Sequence, residues 1–97
     1  MPNNNTEFLQ TASAVMNELD VRYMEADLDE KLELKEELDK AMMTFSEARS
    51  KILENEVICT SEDLAHMQEL RREVERAGEV QTLVRVVVRL TRVMARI

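Results

Sequence analysis

If this chain performs chemistry, the first place to look is His66, which has Glu62 four residues before it, Asp63 three before and Glu69 three after. On one α-helix such neighbours share a face. A carboxylate-x-x-His pair is half of a ferritin-like di-iron site, and the rest would need carboxylates from other helices, here Glu30, Glu33 or a second subunit. One short motif is thin support, and an exposed histidine on the acidic start of a helix accounts for the same residues. Cys59 is the sole cysteine, with no second histidine, glycine-rich turn or oxyanion-hole signature nearby. It reads as a structural thiol rather than a nucleophile. Neither a phosphate-binding glycine loop nor a Cys/His zinc spacing occurs. The expectation is a protein that is not an enzyme, with no catalytic residues, metal ligands or cofactor.

A second group of reactive side chains is the arginine row of the stretch 79–97, EVQTLVRVVVRLTRVMARI. At about 100° per residue, Arg85, Arg89, Arg92 and Arg96 fall within roughly 60° of a helical wheel. Val80, Leu83, Val84, Val86, Val87, Val88, Leu90, Val93, Met94, Ala95 and Ile97 fill roughly 220° of the remainder, where a surface helix needs only about 100°. Such a helix must be covered on two or three sides, by its own bundle or by another chain. The row itself has three readings: a solvated face, a docking stripe for acidic side chains of the Glu/Asp-rich helix 2 or of a partner, or phosphate contacts to nucleic acid. An acidic remainder and a lack of stacking aromatics disfavour nucleic acid. The candidate partner-binding residues are therefore Val80, Leu83, Val84, Val87, Val88, Leu90 and Val93, with Arg85, Arg89 and Arg92.

Positioning these residues falls to helices. Ninety-seven residues with 34% charged side chains, one Gly, one Pro and three aromatics suit one small all-α domain, 1–97, with residues 1–5 as a flexible tail. Net charge is −7, unevenly spread: residues 1–56 carry 14 acids against 6 bases, and residues 57–97 carry 6 against 7. The longest apolar run is too short to span a membrane, no signal peptide is expected, and a lone cysteine suits a reducing cytoplasm.

Helix 1 is predicted from Asn5 or Thr6, with Phe8, Ala12, Val15 and Leu19 as its stripe and Leu9, Met16 and Tyr23 widening it. A turn near 25–28 follows, where Asp27 and Glu30 have capping-box spacing; one helix running through it is the alternative. Helix 2, roughly 28–56, alternates steps of four and three through Leu34, Leu38, Ala41, Phe45, Ala48 and Ile52, with Phe45 at the centre of the seam. Val57, Ile58 and Cys59 connect it to a helix capped by Thr60 or Ser61, with Glu62 and Asp63 in its first turn. Beyond that start lies a conflict. The stripe of Leu64, Met67, Leu70, Val74 and Ala77 points where the later arginines point, so a straight helix over 61–97 would swing its buried face by roughly 150–180° near Gly78. Either the helix ends there, or one long helix changes packing partners. A continuous or gently kinked helix is the expectation, since Gly in a helix costs only about 1 kcal/mol.

From about Ala41 onward the chain runs through SEARSKILENEV, the capped start TSEDLAHMQEL and EVERAGEVQTLVRVVVR. That plan resembles the small helical co-chaperones that guard the needle subunit of type III secretion systems. The resemblance implies a helical hairpin, a larger helical-repeat chaperone as partner and an amphipathic needle helix as client. The face toward that partner would be Val80, Leu83, Val84, Val87, Leu90 and Val93. The fold expected is thus all-α, a three-helix hairpin or bundle with a long C-terminal helix completed by another chain. The function expected is a non-catalytic interaction or assembly protein, homo-oligomeric or bound to a helical partner. A self-associating, ferritin-like metal-binding protein and a small nucleic-acid-associated regulator are the alternatives.

Overall fold

Three helix boundaries in this protein have a clear local cause, and the one between α3 and α4 has none. The computed structural model describes residues 4–97 and forms four helices: α1 (Asn4–Glu25), α2 (Leu28–Leu53), α3 (Ser61–Arg76) and α4 (Val80–Ala95). At the start of α2, the Asp27 carboxylate accepts from the Glu30 backbone N–H at 2.9 Å, and the Asp27 N–H donates to the Glu30 side chain at 3.0 Å. This is a complete capping box, satisfying two donors that a helix start leaves unpaired. Thr60 and Asp63 repeat it at the start of α3, at 3.0 and 2.9 Å. The end of α2 is set by Asn55, whose φ of 58° is left-handed. Its N–H donates to the Ile52 carbonyl, and the Glu56 N–H to that of Lys51. These bonds make a Schellman motif, with Asn in the place usually taken by Gly, and they end α2 at Leu53 rather than near residue 56.

The boundary without a local cause corrects the expected three-helix plan. Residues 61–97 are not one helix. The chain leaves the helix at Ala77 and re-enters after Glu79, which has an extended backbone and no side-chain capping bond. Gly78 does not force this, because its φ is not positive and a side chain there would meet nothing within 4 Å. The cause is the pair of opposed stripes. One rod cannot turn Met67, Leu70 and Val74 and then Leu83, Val87 and Leu90 toward the same core, so the chain folds back and both stripes face inward.

The resulting bundle is two stacked hairpins measuring 42 × 22 × 17 Å. The α1–α2 hairpin lies on the α3–α4 hairpin, with α1 against α3 and α2 against α4; α1/α4 and α2/α3 stand on the diagonals. Asn5 at the start of α1 bonds the segment leading into α3, while Arg22 near the end of α1 donates to the Val74 carbonyl near the end of α3. Stacked helices therefore run parallel and hairpin partners antiparallel. Arg22 also places a cation on the carbonyl end of α3, the favourable sign for that terminus.

Asn4 was expected in the flexible tail, and Asn5 at its end or at the start of helix 1; residues 1–3 of that tail lie outside the described residues. Both asparagines instead belong to α1. The Asn5 amide donates to the Val57 carbonyl at 3.0 Å and its oxygen accepts from the Cys59 N–H at 2.6 Å, while Asn4 donates to the Cys59 carbonyl at 3.3 Å. The core gathers Phe8, Val15 and Leu19 of α1, Leu34, Leu38 and Ile52 of α2, Met67, Leu70 and Val74 of α3, and Leu83, Val87, Leu90 and Met94 of α4. Phe45, expected at the centre of its seam, is only half-buried and packs on the core from its rim.

Candidate partner-binding surface

Helix α4 presents three faces. Leu83, Val86, Val87, Leu90 and Met94 are buried between α2 and α3. Three of the residues expected to meet a partner, Leu83, Val87 and Leu90, are thereby part of the chain's own core, and Val87 has no exposed surface. The apolar arc that suggested a second chain is covered on two sides by the protein's own helices, because the break at 77–79 lets α4 wedge between them. Val80, Val84, Val88 and Val93 form a half-buried shoulder. The arginines occupy the third face, all exposed.

Among the described residues, Arg89 alone of the row is paired. Its guanidinium meets both oxygens of Glu73 on α3, donating to one at 2.9 Å and standing 2.7 Å from the other. A two-pronged Arg–carboxylate contact is the stronger kind, although an exposed pair adds only about 1 kcal/mol or less. Among the described residues, Arg85, Arg92 and Arg96 have no acidic partner. The Arg89–Glu73 bridge divides the seam between α3 and α4 into two hollows. One, of about 220 Å³, is lined by His66, Glu69, Leu70, Arg89, Arg92, Val93 and Arg96. The other, about 450 Å³, runs from Glu69 and Arg76 past Ala77 and Thr82 to Arg85 and Arg89. The first has an apolar floor in Leu70 and Val93 and a rim of guanidiniums around one carboxylate, Glu69.

His66 thus stands beside the arginines rather than in a nest of acids. Its Nε2 lies 3.9 Å from Glu62, while Asp63 is engaged in the Thr60 capping box. The carboxylates considered as further ligands do not reach it. Glu30 lines a hollow with Gly78, Glu79 and Val80 at the start of α4, whereas His66 faces Arg96 at the end of that helix. Among the described residues no three His, Cys, Asp or Glu side chains converge as a metal site would require.

Cys59 is buried, and its thiol is pushed above its ordinary pKa, first by burial and then by the nearby Asp63 carboxylate. Both effects disfavour the thiolate, the form that attacks or binds metal. Its structural part is played by the backbone, which Asn4 and Asn5 hold.

Sequence reasoning found the arginine row but not its setting. Glu73 and His66 join it only because the chain reverses at residues 77–79, and nothing in the spacing of 61–97 announces which acid will meet which arginine. No family model, curated protein or solved structure matches the chain. No helix among the described residues is long and apolar enough to cross a membrane.

Proposed function

We propose that this protein is a non-catalytic helical adaptor whose α3–α4 face takes up an acidic amphipathic segment of another protein. One observation carries the reading: among the described residues Arg85, Arg92 and Arg96 have no carboxylate within ion-pair distance, and they line a seam whose hollow has an apolar floor. A chain of net charge −7 repels acidic partners over most of its surface, so a local cationic row both attracts such a segment and fixes where it lands. Apolar side chains of the partner would rest on Leu70 and Val93. Its carboxylates would reach Arg92, Arg96 and His66 on one side of the Arg89–Glu73 bridge and Arg85 on the other.

The resemblance to needle-subunit co-chaperones is a particular form of this reading, with a helical-repeat chaperone as partner and an amphipathic helix as client. In that form the available apolar contacts are Val80, Val84, Val88 and Val93, since Leu83, Val87 and Leu90 already serve the core.

A labelled synthetic amphipathic helix with glutamates along one edge tests the charge rule, with its lysine counterpart as control. Anisotropy titrations should show binding of the acidic peptide that weakens as salt rises and is lost in an Arg92→Glu/Arg96→Glu double variant. Equal affinity for both peptides, or no effect of the double variant, overturns the proposal.

A further inference from the structure

Helix α2 carries a second apolar stripe that the bundle does not use. Of the large apolar side chains left exposed by the fold, five belong to this helix: Leu28, Leu32, Met42, Met43 and Leu53. Leu28 and Leu32 are 74% and 66% exposed. At 100° per residue these five fall within roughly 100° of the wheel, centred about 130° around from the core stripe of Leu34, Leu38, Ala41, Ala48 and Ile52. The exposed stripe is also in register. Leu28, Leu32, Lys35, Asp39, Met42, Ser46, Arg49 and Leu53 alternate steps of four and three along the whole helix, the repeat of a coiled-coil seam.

We propose that this flank is a dimer interface, in which two copies of the protein pair their α2 helices antiparallel about a two-fold axis between residues 40 and 41. The occupant follows from self-complementarity of two kinds. Reversing the seam about that axis sets Leu28 opposite Leu53 and Leu32 opposite Arg49, then Lys35 opposite Ser46 and Asp39 opposite Met42, with every seam position meeting another. The charges reverse about the same point. Residues 28–39 carry six acids against two bases, and residues 40–53 one acid against three bases. Antiparallel pairing lays each acidic half on a basic half, and Arg49 then lies beside the Asp29 and Glu36 that flank Leu32 on the other copy. Parallel pairing would lay acid on acid. A two-fold contact of this kind uses the same patch twice and closes on itself.

The middle of the seam is polar, with Lys35 and Asp39 paired at 3.4 Å within the helix. Polar seam positions fix register while lowering stability, so the dimer is weak and concentration-dependent. It leaves the α3–α4 face free, and its failure would not touch the reading of that face.

Sedimentation over roughly 1–500 µM should show a monomer–dimer equilibrium with a micromolar dissociation constant. Leu32→Lys, which sets a second cation against Arg49 of the other copy, should weaken it at least tenfold while leaving the circular dichroism and the melting temperature of the dilute monomer unchanged, because Leu32 lies outside the core. Leu28→Ser should act in the same direction. Register is read by mixing Leu28→Cys with Leu53→Cys in the presence of a short bismaleimide, the native Cys59 being buried. Crosslinks between the two variants are expected, with few within either. A wild type that stays monomeric throughout, a dimer indifferent to Leu32→Lys, or crosslinks mainly between two Leu28→Cys chains each overturns the proposal.

Discussion

The two hairpin turns of this protein solve one problem in opposite ways. Between α1 and α2, Asp27 and Glu30 exchange a pair of hydrogen bonds, and the Lys31 ammonium sits 5.8 Å above the Tyr23 ring across the corner. Every element of that turn lies within nine residues of sequence. Between α3 and α4, Glu79 caps nothing, Gly78 has an ordinary backbone, and no side chain there closes the corner. The first turn is written in its own residues; the second is imposed by what α4 buries. A boundary can thus be as sharp as a capped one with none of a cap's chemistry, provided that the helices on either side have opposed apolar faces.

If burial holds the second turn, the largest effect should come from the core face of α4. Val87→Asp is expected to unfold the protein or destabilise it by about 4 kcal/mol or more, since an unpaired carboxylate would sit in a fully enclosed site. Thermal melts followed by circular dichroism measure this, and loss of a single cooperative transition is the expected outcome. A variant that melted like the wild type would mean that α4 is not held by its core.

Phe45 gives a weaker test of burial, on the side of the molecule where the turn is local. Being half-buried, it should lose about half of the 3–5 kcal/mol that removal of a fully enclosed phenyl group costs. Urea titration of Phe45→Ala resolves the difference, and a loss near the top of that range would show that the rim position is central after all.

Caps sharpen the contrast at a smaller scale. Asp27→Ala should cost about 1 kcal/mol, whereas Glu79→Ala should lie within about 0.5 kcal/mol of wild type. Matched denaturation curves of the two variants read this directly, and equal losses would erase the distinction between the turns. A small effect is also expected at Gly78. Gly78→Ala should change stability by less than about 1 kcal/mol, toward gain if anything, because the backbone is compatible and the unfolded chain loses freedom. A larger loss in the same assay would show that the corner depends on glycine.

These contrasts also explain what could be read from the sequence. The all-α class, the break near Asp27 and the cap at Thr60 were legible because their causes are local: periodicity, and an acceptor three residues before an acid. At Gly78 the conflict between stripes was visible, but its resolution was not. A glycine with an ordinary φ leaves no mark, and choosing between a kink and a reversal requires knowing that α4 can wedge between α2 and α3. Asn4 and Asn5 looked like tail because their partners, Val57 and Cys59, lie more than 50 residues away. The arginine row was plain as a stripe, while its pairing through Glu73 depended on the unforeseen reversal.

The connector from Glu54 to Thr60 is the sole covalent link between the two hairpins, and it must cross a diagonal of the bundle. Each hairpin forms from near neighbours with a very short loop, so the two can assemble quickly and separately; their docking is the step that closes long stretches of chain. Removing residues 56–59 would take only Cys59 from the buried core, with Val57 that packs against it. Residues 1–55 and 60–97, produced as separate pieces, should therefore find each other and rebuild the fold, with assembly becoming second order in concentration. The asparagines of α1, left without their bonds to Val57 and Cys59, would then report how much of the docking was guided by the strand of chain they hold.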